Sequence, residues 1–349
     1  RVIRSDKLQR DSLIDTYRVF KEDQYRELPT HKGELWKLIS AENLLFFHME
    51  DTLFRTKGKQ KMKLGDGSNA YVGSGDLFAQ DPDELIMADT GYIGTRAQRA
   101  CVVIPAGYFA VDVNTRKIFL LSKGIPNDIT SEMYGMQRWF QLNIPFALEA
   151  YGFDGRIDNP ITGMGFHAVW DERYSRVVLT KRDIRPTQEF IDNYKGVFPN
   201  LGSLDGISTQ PSGSIGFVNG SYYEVIGGET VGSNTTNPIE INTDSTLTGS
   251  RIPLFEQTGW TASFTVSSSA KGKVGVWSSF HDYVPYIYAT LGIDFYSFTQ
   301  EFSNSINRGI YRHGRGAPLG KFYDQTPSNF EVEIIHNLQR GDNKLFYSL

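Results

Sequence analysis

Apolar residues in this chain come in short runs bounded by polar or turn-forming residues, and most runs have the length of a β-strand. After Gly33 come Leu35-Trp-Lys-Leu-Ile39, then Leu44 to Phe47, then Leu53-Phe54, the pattern of consecutive strands. Residues 1–30 are charged and weakly patterned, and Leu8, Leu13 and Ile14 predict at most one short helix there. Between 57 and 90 the text changes. Lys57 to Lys63 is a lysine-rich run, and Gly65-Asp-Gly-Ser-Asn69 and Asp81-Pro-Asp-Glu84 read as loops.

Two hairpins then look alike. Ala100-Cys-Val-Val-Ile104, a Pro105-Ala-Gly107 turn and Tyr108 to Val111 lead into Asp112-Val-Asn-Thr-Arg-Lys-Ile-Phe-Leu-Leu121; Gly165 to Trp170 leads into Asp171-Glu-Arg-Tyr-Ser-Arg-Val-Val-Leu-Thr180. Both carry Asp, four residues, a basic residue and then an apolar return strand. An aspartate at that place accepts backbone N–H groups of the turn. Phe264 to Val276 has similar hairpin spacing without the aspartate. A degenerate strand–turn–strand unit is the mark of a β-propeller or another β array, so the two hairpins are expected at equivalent places in neighbouring or nearby blades. Helical spacing predicts two inserted helices. Ser131 to Asn143 carries Met133, Met136 and Phe140 on one side, with Glu132 in the first turn. Pro186 to Lys195 opens on proline and stops before Gly196. In 227–250, 16 of 24 residues are Gly, Ser, Thr or Asn, with no basic residue; such a segment reads as an exposed, flexible excursion. Aromatic strand patterning resumes at Gly259-Trp260, and Phe330 to Ile335 alternates as a half-buried strand does.

Composition strengthens the β reading. Of 349 residues, 23 are Phe, 18 Tyr and 34 Gly, suited to pleated surfaces and tight turns. The formal net charge of −4 argues against a general nucleic-acid binder, which carries a basic excess. One cysteine excludes an intrachain disulfide and a cysteine-rich zinc site. No apolar run approaches a membrane span. The chain opens on Arg1, which is read as the start of a processed product or a fragment.

No motif of high specificity for catalysis is present: there is no phosphate-binding loop, nucleophile elbow or HExxH, and Gly91-Tyr-Ile-Gly94 is no dinucleotide fingerprint. Each weaker candidate has an ordinary structural reading that outweighs it. His281-Asp282 reads as a histidine bonded locally at a strand end. Asp112 and Asn114 read as a turn cap and not a calcium loop, since too few oxygens cluster. Glu331 and Glu333 share a strand face, and a solvated face outweighs glycoside chemistry. Cys101 reads as a small buried hydrophobe. Lys57 to Lys63 reads as a solvated loop before a phosphate site, with a DNA-facing role left open. The Trp and Tyr residues read as filling between sheets before a carbohydrate platform. The residues therefore assign no catalytic, cofactor-binding or metal-binding side chain, and favour a structural or binding protein over an enzyme.

Three stretches carry a resemblance: Gly91 to Ala100 with the hairpin after it; Gly165 to Lys181; and Trp277-Ser-Ser-Phe-His-Asp-Tyr-Val-Pro-Tyr-Ile-Tyr288 with Gly309-Ile-Tyr-Arg-His313. Together they resemble the tail muzzle ("stabilization") proteins of crAss-like bacteriophages and, more remotely, the tail nozzle proteins of short-tailed phages. The likeness spans roughly residues 33–337. It departs where family members more often show Leu-Trp-Lys-His and this chain has Ile310-Tyr-Arg-His313. The resemblance implies a β-propeller-like domain over 33–349, part of a longer protein, after an N-terminal extension or linker over 1–32. It implies copies arranged in a ring at the distal end of a podovirus-type tail, contacts with ring or adaptor and fibre proteins, and a conduit for viral DNA and cargo proteins. It implies no catalytic residue and no cofactor. A virion-borne or secreted propeller that binds or cleaves host-surface glycans is the alternative.

Overall fold

Short apolar runs separated by turn residues produce short antiparallel strands, and nearly all the described strands pair with a neighbour in sequence. A computed structural model describes residues 1–6, 15–22, 24–41, 44–57, 60–63, 69–72, 78, 80–87, 91–122, 124–133, 135–147, 149, 158–160, 164–186, 215–218, 221–224, 239–241, 255–266, 275–299, 309–314 and 323. The protein is mainly β, built as several small antiparallel sheets. The first sheet has the order Leu35–Ala41, Leu44–Met49, Leu53–Arg55, Asp83–Met87, Gly91–Tyr92. The second is Val102–Ile104, Gly107–Asp112, Lys117–Ser122, Ile125–Asp128. The third is Gly165–Asp171, Arg176–Arg182, Trp260–Val266, Gly275–His281, and the fourth is Ile287–Leu291, Asp294–Thr299, Gly309–Arg312.

These four sheets are stacked in chain order, because side chains alternate across a strand and each inner sheet offers apolar residues to both neighbours. In the second sheet Phe109, Val111, Ile118 and Leu120 join a cluster with Phe166, Val177, Leu179, Phe264 and Trp277 of the third. The intervening residues Tyr108, Ala110, Phe119 and Leu121 face Ile39, Phe46, Leu53 and Leu85 of the first. Val169 and Val178, on the far face of the third sheet, meet Phe295 and Tyr288 of the fourth. The helix Met136–Asn143 lays Met136 and Phe140 into the cluster between the second and third sheets. On the outer face of the first sheet, Val2 packs with Phe47, Met49, Phe54 and Phe78, and Val2–Ile3 pairs with Tyr25–Arg26.

The two similar hairpins do share a turn. Val113–Arg116 and Glu172–Ser175 are both four-residue turns. Their last residues, Arg116 at φ 58° and Ser175 at φ 48°, lie in the left-handed region, which the twist of a hairpin demands there. Asp112 pairs with Lys117 and Asp171 with Arg176 across each hairpin. Their places in the sheets differ, however. The first hairpin joins the second and third strands of its sheet, the second the first and second strands of the next. Equivalent blade positions were expected; the hairpins lie in neighbouring sheets offset by one strand, because a turn motif fixes local twist and not a strand's rank.

Other expectations are corrected. The helix begins at Met136 and not Ser131, since Gly135 at φ 83° occupies the left-handed region and stops the helix there. Met133 is consequently exposed. Gln60–Lys63 is no loop: it pairs with Asn69–Val72 as a hairpin. Asp83–Met87 is likewise a strand. Pro186 ends a short strand, Ile184–Pro186, paired with Phe255–Gln257, and residues 187–195 lie outside the described residues. So do Leu8, Leu13, Ile14 and 330–335, and most of 227–250, of which Ile239–Ile241 pairs with Ser221–Glu224.

Candidate functional site: the joints between stacked sheets

The chemistry of the described residues is concentrated at the joints. Between the first and second sheets runs Gly91 to Cys101. Thr95 N–H donates to the Met49 carbonyl at 3.0 Å, while its hydroxyl donates to the Val111 carbonyl at 2.8 Å, so one threonine ties both sheets. Gly94 N–H donates to Asp112 Oδ2 at 3.1 Å. A Cβ at residue 94 would stand 1.8 Å from the Glu50 carbonyl oxygen, so only glycine lets the backbones approach this closely. Lys37 Nζ donates to the carbonyls of Gln98 at 2.9 Å and Cys101 at 2.6 Å, and Arg96 pairs with Glu50 at 2.6 Å.

Asp112 behaves as the turn cap expected of it. Its Oδ1 accepts the N–H groups of Asn114 and Thr115 at 2.9 and 3.1 Å, and Oδ2 is taken by Gly94. Burial pushes the carboxyl upward, and these N–H donors counter part of that. The Asn114 side chain donates to Asp51 at 3.1 Å. Cys101 is buried, and burial raises its thiol, the setting of an inert packing cysteine. His48, beside it in the same joint, hydrogen-bonds Tyr108 Oη at 2.8 Å, and burial lowers it to about 3.

The joint between the second and third sheets is aromatic. Trp139, Phe140, Trp260, Phe264 and Trp277 interlock with centroid spacings from 4.6 to 5.9 Å. These rings fill space between sheets. Trp277 Nε1 donates to the Ile129 carbonyl at 2.8 Å, and Trp260 Nε1 to Asn143 at 3.1 Å. At its edge Lys181 is buried between Phe146 and Phe166. Its Nζ lies 2.6 Å from both Asp183 Oδ2 and the Pro145 carbonyl. Burial lowers the amine and raises the carboxyl.

The joint between the third and fourth sheets is built from imidazoles, phenols and hydroxyls. His167 Nε2 meets the Pro285 carbonyl at 2.8 Å, and its ring lies 4.6 Å from Tyr288. Tyr288 Oη lies 2.6 Å from Thr180 Oγ1, which reaches Thr261 Oγ1 at 2.8 Å; Thr261 in turn donates to the Tyr283 carbonyl. His313 stacks on Phe295 at 4.4 Å, and its Nε2 bonds Ser297 Oγ at 2.6 Å. Ser297 Oγ also bonds Tyr323 Oη at 2.8 Å. His281 and His313 both lie against Tyr283, with ring centroids at 5.2 and 5.0 Å. The carboxylate of Asp294 is held between Arg173, at 2.8 Å, and Arg312.

His281 is thus a strand-end histidine with Ser279 Oγ 3.5 Å from its Nε2, while Asp282 beside it is exposed. Taken singly, histidines 167, 281 and 313 give no sign in the sequence that they meet at one joint. A signal was available in Trp260-Thr-Ala-Ser-Phe-Thr-Val266: strict alternation of apolar and hydroxyl residues calls for a polar partner on one face. Of the lysine run, Lys57 Nζ pairs with Asp83 at 2.8 Å. Glu331 and Glu333 lie outside the described residues. Among the described residues no three His, Cys, Asp or Glu side chains are grouped to hold a metal ion, and no helix is long and apolar enough to cross a membrane. No protein-family model and no curated protein matches the chain.

Proposed function

We propose that this chain is a structural component of a short, podovirus-type bacteriophage tail. In this reading it is not an enzyme. It assembles with copies of itself into the ring-shaped muzzle or nozzle at the distal end of the virion tail, alongside ring or adaptor and fibre proteins. The four stacked sheets are read as successive blades of a propeller-like unit. One observation carries the reading: each of the three stretches that resemble tail muzzle proteins contributes to a joint between sheets. Gly91–Ala100 stitches the first sheet to the second. Residues 165–181 supply the first hairpin of the third sheet, and residues 277–288 with 309–313 carry the third sheet into the fourth. Likeness in residues that meet at joints bears on architecture, since side chains there set how sheets stack.

A closed ring needs two different patches repeated on every copy. The formal charge of −4 suits a conduit through which DNA and cargo proteins leave, because a basic lumen would hold DNA by counterion release. The lysine run at 57–63 accordingly belongs away from the narrowest part of the channel. Electron microscopy of the purified protein and of the particle that contains it tests the proposal. Rings with a lumen free of any continuous Lys/Arg band are expected; a monomer in the particle, or such a band, overturns it. The glycan-binding reading draws on Phe280, 53% exposed and 4.8 Å from Trp139, a stacking face for a sugar. A glycan-array signal lost on Phe280→Ala would favour that reading.

A further inference from the structure

We propose that the joint between the third and fourth sheets is an acid-sensitive latch, held shut by three neutral histidines and opened locally when they take up protons. The basis is geometric. Among the described residues His167, His281 and His313 all lie at this joint, whose apolar cluster is small: Val169, Val178 and Phe295, with Tyr288 beside them and the buried ring of Tyr283 against two of the histidines. His167 is fully enclosed. Its Nε2 faces a carbonyl, which only accepts, so Nε2 carries the proton and Nδ1 the lone pair. That Nδ1 has no hydrogen-bond partner among the described residues, and a proton added there would point at no acceptor. His281 and His313 both pack against Tyr283, each in the field of the other and of Arg176.

The charges facing these rings are the following. Arg176 faces His281 and His313, with its own charge partly answered by Asp171 at 2.9 Å. Asp282 beside His281 favours its protonation but is exposed. Arg182 and Arg99 oppose a charge on His167. From the fourth sheet come Asp294, already bound to Arg173 and Arg312, and the neutral phenol of Tyr288, and Tyr323 adds a second neutral phenol through Ser297. The cationic groups that remain oppose protonation. Burial, the largest cause, and these neighbours lower His281 and His313 from 6.5 to about 4 and His167 to about 3. The sign follows. A depressed histidine leaves the closed state with fewer bound protons than the open one. Closure is therefore complete above 6.5 and weakens as pH falls toward 4, by up to about tenfold per pH unit for each histidine. His48 brings the same liability to the joint between the first and second sheets. There a single imidazole stands against a much larger apolar cluster, so the fourth sheet is released first.

Hydrogen exchange on the full chain at pH 7.5, 5.5 and 4.5, corrected for the intrinsic pH dependence of exchange, tests this. Amides of 287–291, 294–299 and 309–312 are expected to lose at least about tenfold more protection by pH 4.5 than those of 107–112 and 117–122. Equal loss in both regions, or none in either, overturns the proposal. The double variant His281→Gln, His313→Gln keeps polar side chains without the titration. Its opening is expected to need a pH lower by about one unit or more; an unchanged midpoint would overturn the three-histidine latch, since His281 and His313 would then carry none of it. Should that variant fail to fold, the two-region comparison in the unaltered chain still decides.

Discussion

The two faces of the third sheet make a controlled comparison inside one molecule. On strand Arg176–Arg182, Val177, Leu179 and Lys181 turn toward the second sheet, whereas Val178 and Thr180 turn toward the fourth. On Trp260–Val266 the division is sharper: Trp260, Ala262, Phe264 and Val266 take one face, while Thr261, Ser263 and Thr265 take the other. The first joint gains mainly from removing apolar area from water, which is non-directional and tolerant of small shifts. The second gains from hydrogen bonds, each of which contributes little net but is costly to leave unmade. The same backbone thus carries one joint that resists most perturbations and one that depends on protonation state and geometry.

Substitutions can break this contrast. The largest effect is expected from Trp277→Ala, which removes a buried ring from the aromatic joint and its bond to Ile129; a loss of about 3–5 kcal/mol should appear as a lowered denaturation midpoint. A smaller but still severe loss, about 3 kcal/mol, is expected for Lys181→Met, which strands Asp183 as a buried charge. Adding Asp183→Asn to it should recover part of that loss in a double-mutant cycle, and additive losses would show that the pair is not coupled. Thr180→Val leaves Tyr288 Oη and Thr261 Oγ1 each short of a partner, and about 1–2 kcal/mol is expected in equilibrium unfolding. The mildest is Tyr288→Phe, which keeps the ring on His167 and removes one hydroxyl, at about 1 kcal/mol. If Tyr288→Phe matched Trp277→Ala, the distinction between the two joints would collapse.

The comparison also explains what the sequence made legible. The β class and the hairpins at 100–121, 165–180 and 264–276 could be read because each return strand is bounded by turn residues within a few positions. The second sheet shows as the unbroken runs Tyr108-Phe-Ala-Val111 and Ile118-Phe-Leu-Leu121, as expected of strands buried on both faces. The offset between the two hairpins was not legible, since rank in a sheet is set by packing far along the chain. The histidine joint was hidden for the same reason: His167 and Pro285, whose contact anchors it, are 118 residues apart. The strand Gln60–Lys63 escaped notice because lysines mask a strand whose pairing is carried by the backbone.

Cys101 gives the molecule an internal clock. As the chain's single cysteine, buried where the first and second sheets meet, it has a raised thiol and is shielded from reagents in solution while that joint stays shut. Its rate of alkylation in the untouched protein therefore counts the openings of that one joint. The count needs no engineered label and no change of sequence. Run beside exchange at 287–312, it puts the release of the last sheet and the parting of the first two on a common time axis.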